Sequence, residues 1–120
     1  MNVMIAGSNA SAITGTIGAS GTLSEEFNIS TFNTFGMLSD GASNGTINFL
    51  VSSVPLGTTG TLNAYRLLRD NVGAAVALTV PTGSGAFKDT DLHVLAPYQY
   101  VRILSSVAQT GCSFTIVMKA

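Results

Sequence analysis

The stretch Cys112-Ser-Phe-Thr-Ile-Val-Met-Lys119 has the side-chain spacing of a β-strand. Because successive side chains of an extended strand point to opposite faces, every second residue shares a face. One of the two faces is entirely apolar and consists of Cys112, Phe114, Ile116 and Met118. We therefore predict a strand over residues 112–119 whose apolar face packs into a core.

A second stretch, residues 98–105, carries apolar bulk on both of its faces. One face consists of Gln99, Val101, Ile103 and Ser105, and the other of Tyr98, Tyr100, Arg102 and Leu104. A strand of this kind is covered on both sides. If Val101 and Ile103 lie in the core, other protein must pack against the opposite face. Since Tyr and Arg are enriched at interface hot spots, we predict that this face contacts another subunit.

Short runs of β-branched and aromatic residues recur along the rest of the chain, and turn residues such as Asp40-Gly41 and Asn44-Gly45 separate them. These further runs cover residues 2–6, 22–28, 29–38, 46–54, 61–69, 75–80 and 91–96. No window shows a sustained helical spacing of apolar residues. Eight or nine strands at this spacing predict an all-β fold, a jelly-roll-like antiparallel β-sandwich that forms a single domain over residues 1–120.

The chain carries very little charge, with five basic and six acidic residues among 120, or 9%. Ordinary soluble domains carry about 25%. Because the cores of interfaces are depleted in charge, this composition favours a subunit that packs against neighbouring proteins. The net charge of −1 argues against a nucleic-acid surface. No apolar run approaches the length of a membrane span, so we expect no membrane partner either.

Cysteine usage and the first residues indicate where the chain is made. Cys112 is the only cysteine, which excludes an internal disulfide framework and fits folding in a reducing cytosol. Residues 1–6 lack the basic region and the long apolar region of a signal peptide. We therefore expect synthesis in the cytoplasm.

Residues 7–21 differ from the rest of the chain, because they carry no charge and little apolar bulk beyond Ile13 and Ile17. Two buried isoleucines do not offset the entropy cost of ordering fifteen residues. We expect a loose N-terminal segment here, either a flexible arm that orders against a partner by strand addition or a long surface loop.

Aromatic side chains crowd the region of Phe27, Phe32, Phe35 and Met37, and residues 29–38 alternate imperfectly. Either a bulge at Gly36 returns all of these side chains to the core, or some of them form a subunit contact. The candidate interface residues are therefore Ile13, Ile17, Phe32, Phe35, Arg66, Tyr98, Tyr100, Arg102 and Leu104.

The sequence offers little for catalysis. If residues 89–93 are extended, Asp89, Asp91 and His93 share one strand face and could hold a divalent cation, although an exposed strand entry explains them as well. His93 is the only histidine available as a base, and Cys112 starts an apolar face. We expect no catalytic residue, no metal site and no cofactor, and hence no enzyme.

The stretch Asp91-Leu-His-Val-Leu-Ala-Pro-Tyr-Gln-Tyr-Val-Arg-Ile-Leu-Ser105 resembles the closing half of many phage virion sandwiches. Together with the low charge and the Gly, Ser and Thr content, the chain resembles the capsid decoration (cement) proteins of tailed bacteriophages. The resemblance implies a virion protein that binds the major capsid protein on the outer capsid surface as a homotrimer or a dimer.

A second interpretation stays open, because similar sandwiches also serve in phage tail fibres. In a receptor- or glycan-binding sandwich, Tyr98, Tyr100 and Arg102 would form an aromatic platform for a sugar. An open groove around these residues favours the sugar, whereas a flat face favours assembly.

Overall fold

The computed structural model describes residues 10–29, 32–53 and 65–119. These ranges contain nine strands, a four-residue helix α1 (Asp89–Leu92) and a 3-10 turn (His93–Leu95). The strands are β1 (Ala10–Ala19), β2 (Phe27–Asn28), β3 (Thr34–Ala42), β4 (Gly45–Ser52), β5 (Arg66–Leu67), β6 (Ala77–Val80), β7 (Gly83–Phe87), β8 (Tyr100–Ser105) and β9 (Thr110–Lys119). No helix among the described residues has the length and apolar character needed to cross a membrane.

The strands form two antiparallel sheets. Sheet A has the order β1-β9-β3-β7, and sheet B has the order β2-β8-β4-β5, with β6 also paired to β4. β5 and β6 both pair with β4, and we count them as one strand position. Each strand then lies in the sheet opposite to that of the strand before it, except that β4 and β5 are in the same sheet. This is the strand order of a jelly roll, in which two Greek keys interlock. The predicted all-β jelly-roll-like sandwich is therefore confirmed.

The core lies between the two sheets and follows the alternation seen in the sequence. Cys112, Phe114, Ile116 and Met118 of β9 are all buried, as predicted. On sheet B the inward side chains of β4 and β8 meet them. The largest fully buried side chains include Phe27, Phe35, Phe49, Phe114, Ile47 and Ile103. Burial of this apolar area from both sheets is the main favourable term for folding.

β1 corrects the expectation of a loose arm over residues 7–21. Ala10–Ala19 pairs with β9 along its length, and Ile17 is fully buried; residues 7–9 lie outside the described residues. The physical reason is that β9 offers a row of backbone hydrogen-bond partners, which the count of apolar side chains left out. Gly15 adds to this, because its missing side chain makes room for the ring of Phe27.

The region between β7 and β8 also differs from the sequence prediction. Residues 91–96 were expected to form a strand, but they belong to α1 and the 3-10 turn that follows it. Leu92 and Leu95, three residues apart, are fully buried on one side of this helical turn. Asp89 fixes the turn to sheet A, since its Oδ1 accepts a 2.8 Å hydrogen bond from the Phe35 N–H.

The crowded aromatic region packs into the core without a bulge at Gly36. Phe35 and Met37 alternate regularly along β3 and are both buried, while Gly36 faces outward. The register shift in β3 lies instead between Ser39 and Ala42. Phe27 reaches the core from β2 in the other sheet.

Several predicted strands agree with the structure in part. Runs 46–54 and 75–80 correspond to β4 and β6, whereas run 61–69 shortens to β5. Residues 2–6 and 61–64 lie outside the described residues. β7 was missed, because its Gly-Ser-Gly-Ala-Phe sequence carries the residues of a turn.

Candidate interaction surface

The outer face of sheet A is a surface of small side chains. The register of the strands places Thr14, Thr115, Leu38 and Ala86 in one row across the four strands. The rows on either side continue the same pattern. We call the outward residues of sheet A the threonine face: Ala12, Thr14, Thr16, Gly36, Leu38, Asp40, Ala86, Ser113, Thr115 and Val117.

The centre of the threonine face exposes large apolar side chains. Leu38 is 50% exposed and Val117 is 37% exposed, although both are large hydrophobic residues. Beside them, the hydroxyl groups of Thr14 and Thr115 hydrogen-bond to each other at 2.8 Å. These two groups therefore lose fewer hydrogen bonds to water when a partner covers them. A partner that covers this centre therefore displaces water from apolar carbon at a low desolvation cost.

Charged residues lie at the margins of this face. Asp40 is at one end, where its Oδ1 accepts a 3.0 Å hydrogen bond from the Ser84 hydroxyl. Lys119 is at the other end, where it pairs with Ala10 and Thr34. Depressions of about 420 and 240 Å³ lie on the face itself, one near each of these two ends. The arrangement suits a broad protein contact more than a small molecule, which prefers a concave site.

The outer face of sheet B holds Tyr100, Arg102 and Leu104, as the alternation of β8 predicts, and all three are half-buried. Contacts within the chain already use this face. Arg102 Nε donates a 2.9 Å hydrogen bond to the Ser24 carbonyl, and all three side chains are already partly covered within the chain. The face is therefore less free for a partner than the sequence suggested.

Tyr65 and Glu26 form a further polar contact in the described part of the chain. The Tyr65 hydroxyl donates a hydrogen bond to Glu26 Oε2. Burial, helped by this hydrogen bond, raises the pKa of Tyr65 above its ordinary value. The hydroxyl therefore stays protonated and keeps its donor role across the physiological range of pH.

Tyr98 does not share the β8 face, which corrects the predicted set. β8 begins at Tyr100, and Tyr98 belongs to the turn before it, where its N–H donates to the Leu95 carbonyl. Tyr98 instead lines a surface cleft of about 300 Å³ together with Arg66 and Arg69. The other residues that line this cleft are Val51, Ser52, Ser53, Leu67 and Leu68.

Two candidate interface residues are wrong because they lie in the core. Ile17 is fully buried and Phe35 is 1% exposed, so neither side chain reaches a partner. Ile13 and Phe32 are half-buried and pack against the same core. The threonine face was not predicted from the sequence. One signal for it was available. Val117 alternates with the apolar residues of the predicted core face of residues 112–119, so this large apolar side chain had to point outward.

The Asp89, Asp91 and His93 set does not form the strand face considered for a cation. Asp89 and Asp91 belong to α1, while His93 begins the 3-10 turn, because Leu92 and Leu95 turn this segment inward. Within the described ranges, no three His, Cys, Asp or Glu side chains come together. Cys112 is buried, and burial raises the pKa of its thiol.

Comparisons with known proteins give a fold. No protein-family model matches the chain, and no curated protein does. Among solved structures, the SPBc2 prophage-derived protein YomS is 11% identical, with 99% of this chain and 100% of that chain covered at a TM-score of 0.57. A structure of disulfide-linked pili from Bacillus endospore appendages is 16% identical, with 93% and 84% covered at a TM-score of 0.37. The similarity to YomS shows a shared fold.

Proposed function

We propose that this chain is a non-enzymatic structural protein of a phage particle. It binds the major capsid protein on the outer capsid surface as a symmetric oligomer, a trimer or a dimer, and stabilises the shell. The threonine face is the observation that carries this proposal, because its centre exposes the large apolar side chains of Leu38 and Val117 and its charged residues lie at its margins. The fold shared with a prophage-derived protein supports a phage origin.

The physical basis of such binding is avidity. A single threonine face offers a few apolar side chains and no buried ion pair, so one contact is weak. An oligomer that presents several copies to a regular shell adds these contacts at high effective concentration. The non-enzymatic part of the proposal draws support from Cys112, since a buried thiol whose pKa is raised is a poor nucleophile.

Changing Leu38 to Lys is expected to weaken attachment to particles by about tenfold or more, since it places a charge at the apolar centre of the contact. The fold should survive, because the Leu38 side chain is half exposed. Co-sedimentation of purified protein with particles that lack it measures the affinity.

The matched control is Leu23→Lys, which changes a leucine that is 39% exposed beside sheet B. We expect wild-type attachment from this variant. Loss of attachment in Leu23→Lys alone would move the contact to the outer face of sheet B, and wild-type attachment by both variants would contradict a role for either face.

The cleft of Tyr98, Arg66 and Arg69 favours a second candidate function, the binding of an anionic sugar in a tail fibre. Two arginines and a tyrosine line it, and these are the residue types that bind a carboxylate and a sugar face. Arg69 is held in place, because one guanidinium nitrogen donates a 2.9 Å hydrogen bond to the Gly73 carbonyl.

Titration with an oligosaccharide of uronic acids, followed by NMR chemical shifts, tests the cleft. We expect shifts at Tyr98 and Arg69, and an Arg69→Gln variant should bind about tenfold more weakly. Arg102→Gln, an arginine outside the cleft, serves as the control and should bind as wild type. Absence of shifts, or an equal loss in both variants, would contradict the sugar site.

A further inference from the structure

β1 is an edge strand of sheet A, paired with β9 on one side only within the described residues. It is ten residues long and contains neither a charge nor a proline. Proteins usually protect an edge of this length with Lys, Pro, a bulge or a covering segment, because its unpaired backbone groups otherwise accept another strand. The protection on β1 covers only part of its length.

The hydrogen bond of the Thr16 N–H shows which backbone groups of β1 point away from β9. This N–H donates a 3.0 Å hydrogen bond to Glu25 Oε1, which is not part of β9, so Thr16 directs its backbone groups away from β9. In an antiparallel strand the N–H and C=O of one residue point to the same side, and alternate residues share that side. Ala10, Ala12 and Thr14 therefore also direct their backbone groups outward.

The second half of this edge is covered and the first half is open. Glu25 occupies the N–H of Thr16, and the Gly21 N–H donates a 2.9 Å hydrogen bond to the Gly18 carbonyl. No described residue hydrogen-bonds to the outward backbone groups of Ala12 and Thr14. The open edge is thus the segment from Ala10 to Thr14.

The charges around the open edge are complementary to those of a second copy. Lys119 lies next to Ala10 at one end, while Glu25 contacts Thr16 at the other end. When two such edges pair in antiparallel fashion, the basic end of each copy comes near the acidic end of the other. Parallel pairing would place like charges together.

We propose that two copies of this chain pair through their open β1 edges, antiparallel and with the two-fold axis at Ala12. Ala12 of each copy then faces Ala12 of the other, and Ala10 faces Thr14. A two-fold axis of this kind is perpendicular to the sheet. Both threonine faces therefore lie on the same side of one continuous sheet, which doubles the surface available to a shell.

This inference deepens the proposed function and rests on it only for the use of the dimer on a particle. It also decides between the two oligomers considered, since an isologous edge contact closes with two copies. Pairing is measured in the free protein. If the protein is a dimer but does not bind particles, only the proposed shell-binding function is contradicted. If it is a monomer that binds particles, only the proposed β1 edge contact is contradicted.

Sedimentation equilibrium of Ala12→Pro and Ala12→Ser tests the edge. Proline at an outward-facing position of an edge strand removes only the exposed N–H, so the fold should persist. We expect its dimer dissociation constant to rise by about tenfold or more, while Ala12→Ser, which keeps the N–H, stays within about twofold of wild type. A folded Ala12→Pro with wild-type affinity, or a wild type that is monomeric at high micromolar concentration, would overturn the proposal.

Disulfide trapping tests the register and does not depend on the proline variant. Across the axis the two Ala12 Cα atoms would lie about 5.5 Å apart, within the range of a disulfide. The two Thr16 Cα atoms would lie about 27 Å apart. Under mild oxidation we expect a covalent dimer of Ala12→Cys and none of Thr16→Cys. Equal trapping of both variants, or of neither, would overturn the proposed register.

Discussion

Replacing Gly15 by Ala is expected to lower the free energy of unfolding by about 2 to 3 kcal/mol, a large effect for one methyl group. A Cβ at Gly15 would lie 2.6 Å from Cζ of Phe27, a distance that real contacts do not reach. Phe27 is fully buried between the sheets, so its ring has no free space to move into. Either the ring leaves its rotamer or β1 moves away from the core.

Gly18→Ala is the matched control on the same strand. No heavy atom lies within 4 Å of the Cβ that this variant adds, and we expect a change of less than about 0.5 kcal/mol. Urea denaturation followed by circular dichroism measures both variants. Equal stability of Gly15→Ala and Gly18→Ala would show that β1 does not pack on Phe27 and would restore the loose arm.

Replacing Gln109 by Ala is expected to lower the free energy of unfolding by about 2 to 3 kcal/mol, through the loss of buried hydrogen bonds. Gln109 is 3% exposed. Its Oε1 accepts a 2.7 Å hydrogen bond from the Ser43 N–H, and its Nε2 donates a 2.9 Å hydrogen bond to the Ser105 hydroxyl. The side chain thus joins the β3–β4 turn to the end of β8.

The cost arises because alanine removes this partner from the half-buried Ser43 N–H and from the buried Ser105 hydroxyl. Gln99→Ala is the control, since the Gln99 side chain is exposed and the hydrogen bond to Gln99 from the described residues, donated by the Ile29 N–H, ends on its backbone carbonyl. We expect less than about 0.5 kcal/mol from Gln99→Ala. A similarly small effect of Gln109→Ala in urea denaturation would contradict the stabilising role of the hydrogen bonds made by its side chain.

The strands that sequence predicted well are those whose two faces differ clearly. In β9 the alternation of Phe114 and Ile116 with Ser113 and Thr115 fixes which side is buried, whatever the neighbouring strands are. In β1 the same signal is weak, because Gly15 occupies the inward position between the two isoleucines. Its burial depends on Phe27 from the other sheet, a contact that no local pattern contains.

The segment around Leu92 shows the opposite failure. Its residues have strand-like composition, yet Leu92 and Leu95 reach the core from a helical turn that Asp89 fixes to Phe35. Tertiary contacts decide such short segments. The strand expected there also gave Asp89, Asp91 and His93 a common face, so the error in local structure produced the error in the candidate cation site.

The candidate site was predictable in character but not in position. Low charge followed from composition, and the alternation of β8 placed Tyr100, Arg102 and Leu104 on its outer face but wrongly included Tyr98. The threonine face depends on the register of four strands that are far apart in sequence, since only pairing brings Leu38 beside Thr115 and Thr14. The sequence contains these residues but not the order of the strands.

The central claim is that this chain is a shell-bound structural protein of a phage particle. Cryo-electron microscopy of particles from the genome that encodes the chain, compared with particles that lack its gene, tests it most directly. We predict difference density for the jelly roll on the outer capsid surface at symmetry-related positions, with the threonine face toward the capsid protein. Difference density confined to the tail, or none on the particle, would contradict the account.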